Sequence, residues 1–376
     1  MAIVRKRTRT RADGTEKVTW LVDYVDSAGA RRFESFYKKK DADARLTDIR
    51  TELKLGTHTA NTASVTLAEA AKLWLNAPRS KPWERATKRN YQGYVEHHIL
   101  PLIGRYKLSK LTVPVIAGFR DKLLEQGTSV AITRKVLIAL KGILKRATES
   151  GLVAHNNATD VTVEQSSRTH DKVAIGKDIP TIAEINTILA NANDRWRPFF
   201  VTAVFTGLRS SELRGLRWCD VEFDKKVIHI RQRADRWGTI GDPKSQAGNR
   251  GVPLPPMALN ALREWKLRCP KSEPGLVFPT TVGTVMLHSN ICNLYFYPLQ
   301  RRLGIVDDTG HHKYGLHALR HFYASWLIDQ EFPPKKIQSW MGHASITMTF
   351  DCYGHLMETD NDHEKLALAE RRITGN

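Results

Sequence analysis

The chain has few cysteines, a shortage of acidic residues and no long apolar run. Its four cysteines, Cys219, Cys269, Cys292 and Cys352, are widely spaced, and none forms a CxxC pair. This spacing excludes a disulfide framework and a cysteine zinc site, and it suits a reducing compartment. No apolar run approaches the ~20 residues of a membrane-spanning helix, and no apolar stretch follows the basic N-terminus. We therefore expect a cytoplasmic protein without a membrane partner.

Positive charge is present in excess. Lys and Arg number 58 against 39 Asp and Glu, which gives a net charge of +19 over 376 residues. Basic residues outnumber acidic ones in each of the segments 1–60, 65–165 and 166–376 rather than in one tail. A surplus spread in this way indicates a protein that wraps around a polyanion such as DNA or RNA. A generally basic surface that serves solubility is the plainer alternative.

Apolar patterning divides the chain into three predicted domains. Residues 1–60 contain two strand-like segments and then a helical one, which predicts a small sheet-plus-helix domain. Residues 65–160 carry four amphipathic helical segments, typical of an all-α module. Residues 175–376 mix helices with short strands and end in a tail, and polar stretches at 56–64 and 158–178 are predicted linkers. The expected fold class is multidomain and mainly α, with small β-sheets.

Four short stretches of the last domain hold the residues suited to catalysis, namely Thr206–Leu213, Lys244–Leu254, His317–His321 and Trp340–His355. In the first, Gly207 is predicted to end an apolar helix just before Arg209. A guanidinium at such a corner offers two parallel donors to a phosphate. Its plainer role is an ion pair with Glu212 or Asp220 that stabilises the turn.

The second and third stretches contain a lysine, two histidines and an arginine. Lys244 lies on a Gly-rich hairpin and is either a solvated turn residue or a proton donor on a mobile finger. His317 and Arg320 share a helix face, and this pair suits phosphate chemistry, with proton transfer by one group and charge from the other. His317 and His321 have a spacing that can bind zinc, but no HExxH-type Glu lies between them, so we expect no metal.

The fourth stretch contains His343, just after Gly342 at a predicted helix end, and Tyr353, near the start of a polar stretch. A phenol is a nucleophile only where another group accepts its proton or stabilises the phenolate. Otherwise, Tyr353 is an ordinary half-buried aromatic. Each of the four stretches, taken alone, has a plain structural interpretation of this kind.

In this order, Arg209, Lys244, His317, Arg320, His343 and Tyr353 resemble the active-site set of the tyrosine recombinase (lambda-type phage integrase) family. The motifs TGLRxxEL, LxWxDV, KSxxxxRxVPL, LHxLRH, GH and TxxxYxH extend the resemblance over about residues 175–356. Residues 65–160 look like the helical core-binding (SAM-like) domain of that family. Residues 1–60 look like its arm-type DNA-binding domain.

The resemblance implies the chemistry of DNA strand cleavage and rejoining at seven positions. Tyr353 would attack the scissile phosphodiester and form a 3′-phosphotyrosyl link, while Lys244 would protonate the leaving 5′ oxygen and His317 would assist proton transfer at the tyrosine. Arg209 and Arg320 would hold the phosphate, and His343 would hydrogen-bond one of its oxygens. Glu212 would brace the Arg209 turn. The resemblance implies no cofactor, no metal and no ATP.

The resemblance also implies partners. Double-stranded DNA attachment sites would be the substrate, in a bacterial cytoplasm and on the nucleoid. A homotetramer would assemble on the DNA through the tail, where Glu364–Arg372 is a predicted amphipathic helix, and an accessory DNA-bending or directionality protein could join it. The basic residues expected to contact DNA are Arg5, Arg7, Lys88, Arg89 and Arg134.

The main expectation is an integrase of a mobile element such as a prophage. A recombinase that resolves chromosome dimers shares the catalytic unit but usually lacks a domain like residues 1–60. A type IB topoisomerase shares the Arg, Lys and Tyr chemistry and acts as a monomer. A non-enzymatic DNA-binding protein would bind DNA without any need for Tyr353.

Overall fold

The computed structural model describes residues 2–10, 16–26, 29–54, 64–164, 173–357, 366–367 and 370–371. The chain forms two compact units, Met1–Ser167 and Arg168–Asn376. Among the described residues, no helix is both long and apolar enough to cross a membrane. The first unit contains two separate apolar cores, one in the sheet-plus-helix part and one in the helical part. The division into three domains stays a prediction.

The first unit begins with an antiparallel sheet in the order β1–β2–β3, followed by one helix. These elements are β1 Ile3–Thr10, β2 Glu16–Val25, β3 Arg31–Phe36 and α1 Lys39–Lys54. Val22 and Tyr24 of β2 pack against Ala42 and Ile49 of α1. The sequence indicates only two strands here, and the structure corrects this to three. In β1, only Ile3 and Val4 are apolar, and Arg5–Thr10 holds basic residues and threonines, so no alternating apolar pattern marks the strand.

The helical part of the first unit follows the four predicted segments closely. Its helices are α2 Leu67–Asn76, α3 Arg85–Tyr94, α4 Leu100–Ile103, α5 Val113–Glu125 and α6 Val130–Glu149. Thr66 begins α2 with a capping box, in which its hydroxyl accepts from the Glu69 N–H and the Glu69 carboxylate accepts from the Thr66 N–H. A π-helical turn, Val95–Ile99, joins α3 to α4. Pro101 lies in the first turn of α4, where a proline is tolerated. The chain therefore stays helical beyond Ile99, where the second predicted segment ends.

The second unit contains nine helices and five short strands among its described residues. The helices are α7 Ile182–Asn191, α8 Arg197–Thr206, α9 Ser210–Gly215, α10 Pro256–Arg268, α11 His288–Asn290, α12 Tyr297–Arg302, α13 Ala318–Asp329, α14 Pro334–Met341 and α15 Ile346–Tyr353. The strands are β4 Val221–Glu222, β5 Val227–Ile230, β6 Arg233–Ala234, β7 Ile240–Gly241 and β8 Arg250–Pro253. One sheet has the antiparallel order β4–β5–β8, and β6 pairs with β7.

Helix α8 lies at the centre of the main apolar core of this unit. Eight of the ten residues of α8 are buried, among them Phe199 and Phe200. A second apolar cluster joins α13, α14 and α15 through Leu327, Ile337 and Tyr353. The three elements that carry the predicted histidines and the tyrosine therefore pack on one another.

Two local features of this unit add detail to the sequence prediction. The Gly-rich connection around Gly238–Gly248 joins the antiparallel strands β5 and β8, and it contains the short β6–β7 pair and a 3₁₀ turn, Gln246–Gly248. Tyr353, which the sequence places near the start of a polar stretch, is the last residue of α15. Ser345 caps that helix by accepting from the Met348 N–H. The predicted tail helix, Glu364–Arg372, lies mostly outside the described residues.

Candidate active site

The corner between α8 and α9 depends on a glycine. Gly207 ends α8 with a φ of +58°, a left-handed conformation that favours glycine. A Cβ atom at this position would lie 2.2 Å from Cδ1 of Tyr323 in α13. The close approach brings α8 onto α13 and makes Arg209 the N-cap residue of α9. The predicted helix end at Gly207 is confirmed.

Glu212 is a buried carboxylate between two arginines. Its oxygens accept from the Arg209 N–H and Nη1, each at 2.9 Å, and from Nη1 and Nη2 of Arg250 at 3.1 and 2.9 Å. Burial disfavours its charge, but the hydrogen bonds and charges of Arg250 and Arg209 prevail and lower its pKa to about 2. Glu212 is therefore ionised at neutral pH and holds both guanidinium groups in place.

The two proposed partners of Arg209 are separated by the fold. Glu212 forms the ion pair with Arg209, whereas Asp220 pairs with Arg217 and Arg231. Nη2 of Arg209 also donates to the carbonyl of Gly342 at 2.9 Å. Arg209 thus forms the ion pair that stabilises the turn and still keeps a partly exposed guanidinium.

Arg250, at the start of β8, is a site residue that the sequence reasoning did not select. Its Nε donates to the Trp340 carbonyl at 2.6 Å, and its Nη1 donates to the Gly248 carbonyl at 3.1 Å. Together with the Glu212 bonds, these contacts connect β8 to α9 and α14. The sequence did offer a signal for it, because Arg250 is the arginine of the motif KSxxxxRxVPL that begins at Lys244.

Arg320 lies in α13 and is also buried. Its Nη1 donates to the Gly207 carbonyl at 2.7 Å, and its Nη2 donates to the Met341 carbonyl. Burial, followed by the charge of Arg209, lowers its pKa, yet a guanidinium stays protonated at neutral pH. Arg209 and Arg250 bond to Glu212, and Arg320 interacts with its charge. Three guanidinium groups thus surround this carboxylate, and these four side chains together carry excess positive charge.

His343 is buried beside this cluster. It follows Gly342, which ends α14 with a φ of +62°. The Nδ1 atom of His343 lies 2.9 Å from the Thr349 hydroxyl. Burial and the charges of Arg320, Arg209 and Arg250 lower its pKa to about 3, so the ring is neutral at neutral pH. The predicted helix end before His343 is confirmed.

His317 lies immediately before α13 and faces solvent. The protein packed around its inner side, and then the charges of His321 and Arg320, lower its pKa to about 4. Its ring meets that of His321 edge to face, with 4.8 Å between centroids. Across the described residues, no three His, Cys, Asp or Glu side chains are placed to hold a metal ion.

Tyr353 is buried, with 2% of its surface exposed. Its hydroxyl lies 2.7 Å from Nδ1 of His321, a residue to which the sequence analysis gave no role at the tyrosine. Burial raises the pKa of the phenol, and the charge of Arg320 opposes this shift. The phenol is therefore protonated at neutral pH.

Lys244 is exposed on the connection between β7 and β8, away from the buried cluster. The base of its loop is nevertheless tied to the site. A Cβ on Gly342 would lie 3.0 Å from the Ala247 carbonyl, and the Gly248 carbonyl accepts from Arg250. The fold thus brings Arg209, Glu212, Arg320 and His343 together and leaves Lys244 at the surface.

The residues expected to contact DNA all lie in the first unit. Arg5 and Arg7 are exposed on β1. Val4 packs towards α1, and successive residues of a strand point to opposite faces, so Arg5 and Arg7 lie on the face of the sheet away from α1. Lys88 and Arg89 are exposed on α3, and Arg134 is partly exposed on α6. Their part in DNA binding stays a prediction.

Comparison with known proteins gives matches along most of the chain. Residues 181–359 match the model of the phage integrase family, and residues 66–124 match that of the N-terminal SAM-like domain of phage integrases. A XerC-like tyrosine recombinase of Caldanaerobacter subterraneus is 27% identical over 94% of this chain and 95% of its own length. The prophage integrase IntR of Escherichia coli is 26% identical over 66% of this chain and 63% of its own.

The fold also matches solved structures. The Tn1549 transposon integrase in complex with transposon right end DNA aligns with a TM-score of 0.65 and 20% identity, over 82% of this chain and 99% of that one. A lambda integrase dimer bound to a core site aligns with a TM-score of 0.58 and 18% identity, over 93% and 94%. The two matched family models span more than half of the residues and include the whole arginine, histidine and tyrosine cluster. The chain belongs to the phage integrase family of tyrosine recombinases, which cleave and rejoin DNA.

Proposed function

We propose that this chain is the integrase of a mobile element such as a prophage, which integrates or excises that element by site-specific recombination. The observation that carries the chemistry is the cluster of the buried Arg250 and Arg320 and the partly exposed Arg209 around the carboxylate of Glu212, with Tyr353 close by. A phosphodiester is an anion, and its charge grows as a nucleophile adds. Excess fixed positive charge in a water-poor site therefore stabilises the transition state more than the ground state.

In the proposed reaction, Arg209 and Arg320 bind the nonbridging phosphate oxygens. Carbonyl oxygens of Gly207, Met341 and Gly342 orient the two guanidinium groups before DNA arrives, so little reorganisation is needed during the reaction. Arg250 acts through Glu212 as a positioning residue. It holds the carboxylate that braces Arg209.

Tyr353 attacks phosphorus and forms a 3′-phosphotyrosyl link, and the bond to the 5′ oxygen breaks. Lys244 protonates that leaving oxygen, which requires its exposed loop to fold over the DNA. His343, neutral and held by Thr349, donates a hydrogen bond to a phosphate oxygen through Nε2. His317, exposed beside His321, is the sequence-based candidate for assisting proton transfer at the tyrosine. The covalent link preserves the bond energy, so a new 5′ hydroxyl can be joined by the reverse step.

The choice of an integrase over a resolvase of chromosome dimers rests on the N-terminal sheet. Relatives of both kinds match at similar identity. The open face of the sheet carries Arg5 and Arg7, and Phe33 on β3 and Tyr37 just after β3 are strongly exposed. A basic, aromatic sheet face suits a second DNA contact, and an integrase needs a second binding sequence beside the core site.

The proposed assembly is a homotetramer on two attachment sites, formed in the bacterial cytoplasm at the nucleoid, with an accessory DNA-bending or directionality protein where the reaction needs one. Lys88, Arg89 and Arg134 would contact the core site. A lambda integrase tetramer bound to a Holliday junction is among the solved structures of similar fold, with a TM-score of 0.58 and 16% identity over 90% of this chain and 96% of that one.

The test starts from DNA that the protein itself selects. Tyr353→Phe protein is used to retain duplexes from a random pool, and the selected core sequence is built into duplexes with a single nick moved base by base. Wild type should form a covalent, protease-sensitive adduct at one nick position, and Tyr353→Phe should form none. Tight binding without any adduct would support the non-enzymatic DNA-binding protein instead.

The same selection separates an integrase from a resolvase. An integrase should retain two unrelated motifs, and the Arg5→Gln/Arg7→Gln double variant should lose only one of them. One motif, retained equally by that variant, would support the chromosome-dimer resolvase. Relaxation of a supercoiled plasmid by single protein monomers would support the topoisomerase.

A further inference from the structure

The hydroxyl of Tyr353 has one hydrogen-bond partner among the described residues. That partner is Nδ1 of His321, at 2.7 Å. His321 lies on α13 directly after Arg320, and Tyr353 ends α15. The contact therefore connects the nucleophile to the helix that carries the phosphate-binding arginine.

The two histidines of this helix have different surroundings. His317 lies one turn earlier, faces solvent and forms no hydrogen bond with Tyr353 in the described part of the chain. The two imidazole rings are perpendicular, so they pack edge to face and do not lie in a common plane. His321 is half-buried and is the ring that touches the phenol. The geometry thus places His321, and not His317, against the nucleophile.

The charged and titratable groups around His321 favour its neutral form. Arg320 faces it from α13, His317 from the position just before α13, Tyr353 from α15, and Asp178 from the segment before α7. Burial and then the charge of Arg320 lower the pKa of His321, and Asp178 opposes this shift. A neutral ring with its proton on Nε2 presents a lone pair on Nδ1, which is what a proton acceptor requires.

We propose that His321 is the group that accepts the proton of Tyr353 during strand cleavage, an inference that rests on the proposed recombinase chemistry. The O–H bond of Tyr353 breaks as its oxygen bonds to phosphorus, and the proton moves to Nδ1 of His321. The bond between phosphorus and the 5′ oxygen breaks, and that oxygen takes a proton from Lys244. In the rejoining step, His321 returns its proton to the departing phenolate. Atoms and charges balance without any further reactant.

The experiment separates the two proton transfers by changing the leaving group. Suicide duplexes of the selected core sequence are made with either an ordinary phosphate or a 5′-bridging phosphorothiolate, whose sulfur leaves without protonation. The Lys244→Ala variant should cleave the ordinary phosphate slowly and should cleave the phosphorothiolate at nearly the wild-type rate. His321→Asn should be slower than wild type by about 100-fold or more on both, since general acid–base groups contribute about 10² to 10⁴ in rate.

The asparagine variant distinguishes proton transfer from mere positioning. Its Oδ1 can occupy the place of Nδ1 and accept the phenol hydrogen bond, but it cannot carry a proton at neutral pH. On the phosphorothiolate, wild type should slow as the pH falls through the pKa of His321, and His321→Asn should lack that pH dependence. Duplex binding and thermal unfolding of the variant serve as controls for its fold, and His317→Asn is the matched variant.

Three results would overturn the inference. They are His321→Asn cleavage within about threefold of wild type, an unchanged pH profile in that variant, and recovery of His321→Asn on the phosphorothiolate. A large defect in His317→Asn with none in His321→Asn would assign the proton to His317. Failure of the recombinase chemistry itself gives a different outcome, in which wild type forms no adduct on either duplex.

Discussion

At the residue scale, the buried carboxylate of Glu212 determines how the site is arranged. An isolated buried charge costs several kcal/mol, and only paired geometry offsets that cost. Glu212 has this geometry with Arg209 and Arg250, and the same contacts leave both guanidinium groups fixed. Among the described residues, Glu212 is the predicted site residue to which Arg250 hydrogen-bonds, so Arg250 is a positioning residue.

The Glu212→Gln variant should lower the free energy of unfolding by about 3 kcal/mol at pH 7, since one pKa unit corresponds to about 1.4 kcal/mol. The folded-state pKa of about 2 lies below the ordinary 4.5, so this stabilisation is complete above about pH 4.5 and is lost as the pH falls towards 2. Urea unfolding at both pH values measures this: the difference in unfolding free energy between wild type and variant should be smaller at pH 3 than at pH 7.

Glu222→Gln is the matched control, because Glu222 pairs with Lys225 at the surface. Its unfolding should change little at either pH. A Glu212→Gln difference that is the same at pH 7 and pH 3 would contradict the ionised, doubly paired carboxylate.

At the element scale, the corner between α8 and α9 sets the position of the phosphate-binding groups. Gly207 supplies the left-handed turn and the close contact with Tyr323, and its carbonyl accepts from Arg320. A change at this one residue therefore acts on Arg209 through the chain and on Arg320 through the hydrogen bond.

Gly207→Ala should destabilise the protein by at least about 2 kcal/mol, because a left-handed alanine costs about 1–2 kcal/mol and the methyl group also overlaps the Tyr323 ring. Adduct formation on the selected suicide duplex should fall with it. Gly118→Ala is the control, since Gly118 lies within α5 and a Cβ there meets no atom within 4 Å. It should unfold like wild type or be slightly more stable. Equal stability of the two variants would rule out the proposed role of the corner.

At the scale of the whole molecule, the positive surplus of +19 is distributed over both units rather than confined to one. A protein of this kind gains affinity by releasing counterions along a long DNA contact. In the proposed assembly, contacts between subunits depend on the tail that follows Tyr353.

Removal of residues 358–376 should leave cleavage of a single suicide duplex within a few-fold of wild type, because Met357 and the cluster around Tyr353 are retained. Complexes that hold two duplexes should be lost, since the tail would join neighbouring subunits. Sedimentation of protein–DNA mixtures with one or two labelled duplexes measures both states. Undiminished two-duplex complexes would count against the tail as the connection between subunits.

Local signals determined much of this protein from the sequence alone. The helix ends at Gly207 and Gly342 follow from the backbone freedom of glycine, and the segments of α2, α5 and α6 follow from their apolar spacing. The order of the motifs was enough to identify the family. β1 escaped prediction because Arg5–Thr10 holds only basic residues and threonines, and the two apolar residues before it, Ile3 and Val4, are too few to form an alternating pattern.

The pairing of side chains was decided only by the tertiary structure. Arg250 and Glu212 are 38 residues apart, and His321 and Tyr353 are 32 apart. The sequence offered Glu212 as one of two partners of Arg209, but it could not assign Arg250 to Glu212 or His321 to Tyr353, because separate helices and strands bring these side chains together by packing. The choice between His317 and His321 shows the reason most directly. One helical turn separates the two imidazoles, and only the placement of α15 against α13 determines which of them meets the phenol.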